Sequence, residues 1–301
     1  MNVKKVIFYL FMLALLIIWG AEYVVVKLCM TKVTPIELIF CRYAFGAIFI
    51  FIIKMIKDRK FPIRKKDIPI IIICSLTGEF LYFFAEYNAM NYLNISTITI
   101  FLALVPIISM IIELIFFKKT PSLLMVIMSI VCIIGVAVFV GGELNTIFSG
   151  SLMGFVLIFI AIISWNCYNF LTERLTGNYK PLDLTFFQLL CTSLLSAPFV
   201  IFKKTDYSIF LDKRVILGIL FLVIFSSIVG FVVYIHALEV LGATSCAMFS
   251  NFLPISASFF GFVILKEELT LLQVFAGIVV IIAGLLFITG KANLNKREKL
   301  R

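Results

Sequence analysis

Charge is what this 301-residue chain has least of: 14% of its residues are charged, against about a quarter in an ordinary soluble domain. Its longest polar stretches run to only about ten residues, which leaves no room for a separate soluble domain. No GxxxxGK[ST] loop is present, so the chain encodes no ATP-driven cycle. GxSxG is missing as well. The single histidine, His236, has no evident serine or cysteine partner, which argues against hydrolysis inside a membrane. Seven cysteines (Cys29, Cys41, Cys74, Cys132, Cys167, Cys191, Cys246) form no CxxC pair, and they read as small buried apolar residues rather than disulfides or metal ligands. No cofactor and no metal are expected.

What the chain does have is apolar surface. It is 63% hydrophobic, with a mean hydropathy of +1.17, the composition of an all-α, multi-span membrane protein. The net charge of +10 does not point to nucleic acid, because the basic residues cluster in loops beside apolar runs. MNVKK and the apolar run after it resemble a signal peptide. No small-x-small cleavage site follows, and the run is long enough to span, so it reads as a first helix. Hydropathy predicts ten transmembrane helices at 6–28, 35–56, 68–91, 95–117, 122–141, 151–172, 182–203, 214–240, 244–265 and 271–290. Pro35, Pro121 and Pro181 stand at helix starts, and Gly141, Gly142 and Gly242 at ends. With the N-terminus inside, cytoplasmic segments hold 18 basic residues against 7 outside, so both termini are expected on the cytoplasmic side of the cytoplasmic membrane. The segment from Lys203 to Arg214 opposes that bias.

Anchors recur along the chain. Trp19, Pro35 and Arg42 return 146 residues later as Trp165, Pro181 and Gln188; Phe83, Ala89, Pro106 and Lys118 return 148 residues later as Phe231, Ala237, Pro254 and Lys266. The halves are then 1–145 and 146–301. Five spans in each make the second half insert upside down, and such inverted repeats place a solute site near the midplane between them.

The stretch Gly78–Pro106 is apolar apart from two acids, and its pattern returns without them at Ser226–Pro254. Glu79 and Glu86 are seven residues apart, about two helical turns, which predicts both carboxyls on one face with Tyr82 and Phe83 between them. A charge at that depth costs several kcal/mol and belongs in a bundle interior or watery cavity. Glu79 is expected to face the transport path as proton carrier or cation ligand; its alternative is a hydrogen-bonded packing residue. Glu22, Glu86 and Arg42 fall at similar depth, which predicts an ion pair for Arg42 and a leftover negative charge that favours a cationic or zwitterionic solute. Lys27 is a second possible partner for Glu22. Glu113, with Thr99, Pro106 and Ser109, gives the fourth helix a polar face; Asn251, Pro254 and Ser258 repeat it in the ninth. The prolines read as cavity lining or as packing kinks. Trp19, Trp165, Tyr82, Tyr168 and Tyr234 are candidates for an aromatic wall, although most aromatics in a chain with 33 Phe only pack. His236 reads as a packing residue rather than a proton relay. Gly46 with Ser193 or Gly218 hints at close helix approach.

WGAEYVVVK (19–27) with Pro35 and Arg42 resembles the opening signature of the EamA family in the drug/metabolite transporter superfamily. FAEYNAMNY before Pro106, and YIHALEVLGA before Pro254 and KEELT (266–270), resemble its third/fourth and eighth/ninth helices. The resemblance covers the whole chain and implies ten helices in two inverted five-helix repeats, with helices 5 and 10 peripheral. It further implies a secondary transporter of small metabolites, amino acids or drugs. The sequence departs from the family at Glu22, where a small or amide residue is usual, and at Lys118-Lys119, where the second copy keeps Glu267-Glu268. The expected activity is export of an amino acid or related metabolite by alternating access through a cavity lined by helices 3, 4, 8 and 9, driven by the solute gradient or by protons. A lipid flippase or scramblase, or an organic-cation exporter, is the alternative. An embedded enzyme would need acids or histidines clustered at a headgroup surface. The partners are then the solute, protons and the bilayer, with the chain acting as monomer or homodimer.

Overall fold

A computed structural model describes residues 3–140, 151–202, 212–265 and 270–298. Gly141, Gly142, Lys203, Lys204, Lys266, Glu267 and Glu268 lie outside them, as does the side chain of Ser258. Among the described residues the regular elements are all helices, with a single isolated β-bridge between Thr176 and Tyr179. In chain order the α-helices are α1 Val3–Cys29, α2 Pro35–Lys57, α3 Ile68–Cys74, α4 Tyr82–Ala89, α5 Ile95–Leu102, α6 Val105–Phe117, α7 Leu123–Phe139, α8 Leu152–Leu175, α9 Pro181–Ile201, α10 Lys213–Phe221, α11 Gly230–Leu241, α12 Ala243–Phe249, α13 Leu253–Leu265 and α14 Leu271–Glu298.

Among the described residues eight helical rods are long and apolar enough to cross a membrane by length and composition. They match eight of the expected spans. The other two differ: α7 is apolar but only 17 residues long, and 243–265 runs as α12 and α13 joined by a 3-10 turn at Ser250–Phe252. Large apolar side chains such as Leu10, Phe49, Phe116, Ile134 and Leu217 face outward along the rods, where lipid would solvate them.

Pro35 and Pro181 occupy the first turn of α2 and α9, where a missing N–H costs nothing. Thr34 and Glu37 form a capping box ahead of α2. Two rods are not plain α-helix. α3 passes into α4 through a π-helical stretch, Ser75–Leu81, and α10 passes into α11 through another, Leu222–Val229. The stretches begin 147 residues apart. The backbone also breaks at Ala103–Leu104, just before Pro106, and at Ser250–Phe252, just before Pro254. A proline cannot donate into the preceding turn, so each break falls one turn ahead of it.

Helix contacts come in matched sets. α2 packs along α9 and α7 along α14; the Ile68–Ala89 rod packs on α8, as the Lys213–Leu241 rod packs on α1; α1 meets α13, while α8 meets α5 and α6. Close approach is bought with glycine at Gly78, where an added Cβ would sit 2.1 Å from the Tyr168 ring, and at Gly20, where it would meet Ser256. Gly46 and Gly218 likewise abut Leu189 and Cys29.

Candidate functional site

Between α1, α4 and α8 lies a cavity of about 40 Å³, walled by Trp19, Glu22, Tyr23, Tyr82, Phe83, Glu86, Tyr87 and Trp165, with Ser250 and Leu253 closing one side. That volume holds about three or four waters at about 10–15 Å³ each. Met90 separates it from a wider hollow at the bundle end, lined by Lys27, Met30, Thr31, Asn91 and Asn94. The lining comes from α1, α4, α8 and the α12–α13 turn. No residue of the expected fourth and eighth helices is among that lining; from the eighth, Phe231 and Tyr234 pack behind Trp19 and Trp165 instead.

Two glutamates reach this cavity, and their partners differ. Glu22 on α1 is paired with Arg42, which is wholly buried on α2. Arg42 also donates from Nε to Ser227 Oγ (2.6 Å), from Nη2 to Ser226 Oγ (2.9 Å) and from Nη1 to the Tyr87 hydroxyl (2.7 Å). Ser226 and Tyr87 pass donors on to Glu22, the latter at 2.9 Å. The guanidinium lies 4.4 Å from the Phe83 ring centroid. Every face of Arg42 is used, which is what a buried ion pair needs to offset its desolvation. Lys27 is not the partner of Glu22; it lines the outer hollow.

Glu86 has no such cation among the described residues. Its Oε1 accepts from the Tyr23 hydroxyl (2.7 Å) and from the Tyr82 hydroxyl (2.9 Å). The tyrosines are crossed: Tyr23, next to Glu22, serves Glu86, and Tyr87, next to Glu86, serves Glu22. The tripeptide Ala-Glu-Tyr occurs at 21–23 and again at 85–87, and that repeat was the available signal for both tyrosines.

Aromatic rings surround the carboxylate. Trp165 stacks obliquely on Tyr82 (centroids 4.8 Å) and lies edge-on to Trp19 (5.9 Å); Tyr82 and Phe83 meet at 88°. Tyr234 touches both tryptophans at 5.2 Å and, with Tyr168 and Phe231, seals the cavity from the opposite bundle end. The Trp19 indole N–H donates to the Ser226 carbonyl (3.3 Å) inside the second π stretch.

Other sequence candidates sit elsewhere. Glu79 is fully buried but does not line the cavity: Oε2 accepts from Thr192 Oγ1 on α9 at 2.7 Å, and Oε1 has no partner. The expectation of one shared face for Glu79 and Glu86 is corrected here. Each π turn consumes an extra residue, so the two carboxyls point to different neighbours. Glu113 pairs with Lys291 at the far end of the bundle, and Ser109 donates to Thr244 (3.2 Å). Pro106, Pro254 and Asn251 mark the helix breaks and are not among the lining residues; Asn251 Oδ1 is buried without a partner. His236 is half exposed on α11, against Phe8 and 3.9 Å from Glu239.

A multi-span helical bundle enclosing a small, aromatic, acid-bearing cavity is the class these elements define. The EamA-like transporter family model matches residues 6–141 and 152–290, and the chain belongs to that family. It is similar to an uncharacterised transporter of Archaeoglobus fulgidus (24% identity, 91% of this chain and 95% of the relative). Two Bacillus subtilis proteins, the uncharacterised transporters YoaV (23%; 89% and 92%) and YcxC (25%; 93% and 91%), are also similar. A crystal structure shares the fold at a TM-score of 0.74, with 13% identity over 92% of this chain and 94% of that one.

Proposed function

We propose that this chain is a secondary transporter for a small amine-bearing solute, an amino acid or related organic cation, which binds at Glu86 between Trp19, Trp165, Tyr82 and Phe83. One observation carries the reading: Glu86 is the cavity carboxylate that forms no salt bridge with any cation among the described residues, while Glu22 is paired with Arg42. Two hydroxyls orient it, and aromatic faces beside it favour a desolvated ammonium by about 0.5–2 kcal/mol each. Alternating access follows from two inverted repeats, 1–145 and 146–301. The twofold family match, the two π stretches, the two proline breaks and the paired helix contacts support that division. Export across the cytoplasmic membrane, with both termini inside and a proton as the exchanged ion, completes the reading. The same aromatic lining also suits a bulkier organic cation, the second reading.

A thermal-shift screen of purified protein against amino acids, choline and polyamines, at two pH values, tests it. Amines should raise Tm while uncharged and anionic analogues do not, and Glu86→Gln should abolish the response. A response to anions alone overturns it.

A further inference from the structure

Glu79 lies on the same rod but outside the cavity lining, and it is fully buried. We propose that Glu79, the Thr192 hydroxyl and the π-helical Ser75 carbonyl form a second site, separate from the solute cavity, that binds and releases a proton. Thr192 Oγ1 lies 2.7 Å from Glu79 Oε2 and 3.4 Å from Ser75 O, so one hydroxyl ties α9 to two points of the first π stretch. Glu79 Oε1 is buried without a partner, and so is the hydroxyl of Tyr43 on α2, within electrostatic reach of it.

The titratable groups facing Glu79 are Arg42 and Tyr43 from α2, Tyr168 from α8, Cys191 from α9 and Cys74 from its own rod. Arg42 is the one cation among them, and Glu22 already holds it. An uncompensated carboxylate cannot remain in this packing, because its desolvation has no return. The carboxyl therefore carries a proton while the Ile68–Ala89 rod and α9 are in contact. It gives that proton to water, leaving a carboxylate, when the two part. Glu79 and Thr192 belong to opposite halves of the chain, so proton loss and separation of the halves are linked. The π stretch places the acid there, in keeping with the frequent use of π turns at functional positions. The release step and the role in transport rest on the reading above; proton binding at Glu79 does not.

Infrared difference spectroscopy of the reconstituted protein in D2O tests it. Wild type should show a slowly exchanging protonated-carboxyl band at neutral pH, lost in Glu79→Gln, retained in Glu86→Gln and moved to higher wavenumber in Thr192→Val. An unchanged band in Glu79→Gln, or its loss in Glu86→Gln instead, overturns the site. Should Glu79→Gln fail to fold, an unmoved band in Thr192→Val overturns it equally. Choline serves as the separate probe: its thermal shift should persist within threefold in Glu79→Gln. If none of the amino acids, choline and polyamines gives a shift in wild type while the band behaves as expected, the solute reading fails and the proton site stands.

Discussion

At the scale of single residues, the cavity is decided by how three charged groups divide. Arg42 can neutralise one of the two acids near it, and five hydrogen-bonding contacts commit it to Glu22, Tyr87, Ser226 and Ser227. Replacing Arg42 by Met leaves Glu22 buried and unbalanced, at a cost of about 3–5 kcal/mol. Thermal unfolding should show a large fall in Tm for Arg42→Met, recovered in part by adding Glu22→Gln. Sequence reasoning found Glu22, Glu86, Arg42, Trp19 and Trp165 because acids, arginine and tryptophan are conspicuous in an apolar chain. Thr192, Ser226 and Ser227 were not legible. Hydroxyls are common in membrane helices, and only the fold shows which of them meet a charge.

At the scale of elements, the π stretches matter most. Counting by the α-helical period puts Glu79 and Glu86 on one face. The structure turns them apart, because Ser75–Leu81 is wound more loosely. No composition rule reveals such a stretch. Gly78 lets this stretch lie against the Tyr168 ring, whose Cβ as well as Cγ would clash with an added methyl. Gly78→Ala must therefore push the rod off α8. The expected loss is about 1–3 kcal/mol of stability, read as a lower Tm together with weaker amine binding, since Tyr82 and Glu86 ride on the same rod. Retention of wild-type Tm and binding would show that the packing there is looser than described.

At the scale of the whole molecule, the two bundle ends differ. One is tied by the buried pair Lys54–Asp183, by Glu113–Lys291 and by Tyr179, which donates to Asp67 (2.6 Å). The other, where the outer hollow lies, has the exposed pair Lys32–Asp212. The Lys32 ammonium holds the Asp212 carboxyl below its usual range. A depressed carboxyl contributes above its ordinary pKa, and that tie is lost as pH falls through the lowered value. Asp183→Asn leaves the buried Lys54 with only Asp58, 3.7 Å away, and should lower Tm by the equivalent of about 1–3 kcal/mol, whereas Asp212→Asn should leave Tm unchanged. In the proposed orientation the loosely tied end faces outward. An impermeant maleimide should then label Asn91→Cys, but not Asn178→Cys, on intact cells carrying a cysteine-free background. Eight of the ten expected spans were legible from hydropathy as helical rods, while 123–139 is shorter and 243–265 is broken at Ser250–Phe252. Which end is shut was not, because it depends on pairings such as Lys54 with Asp183, far apart in the chain, that only the fold reveals.

The central claim is that Glu86 is the carboxylate a cationic solute meets, and counterflow in proteoliposomes tests it most directly. With the amine that gives the largest thermal shift, wild type should exchange label across the bilayer. Glu86→Gln should exchange at least tenfold more slowly while keeping its Tm, a loss of about 1.4 kcal/mol. Exchange by Glu86→Gln at the wild-type rate would contradict the account.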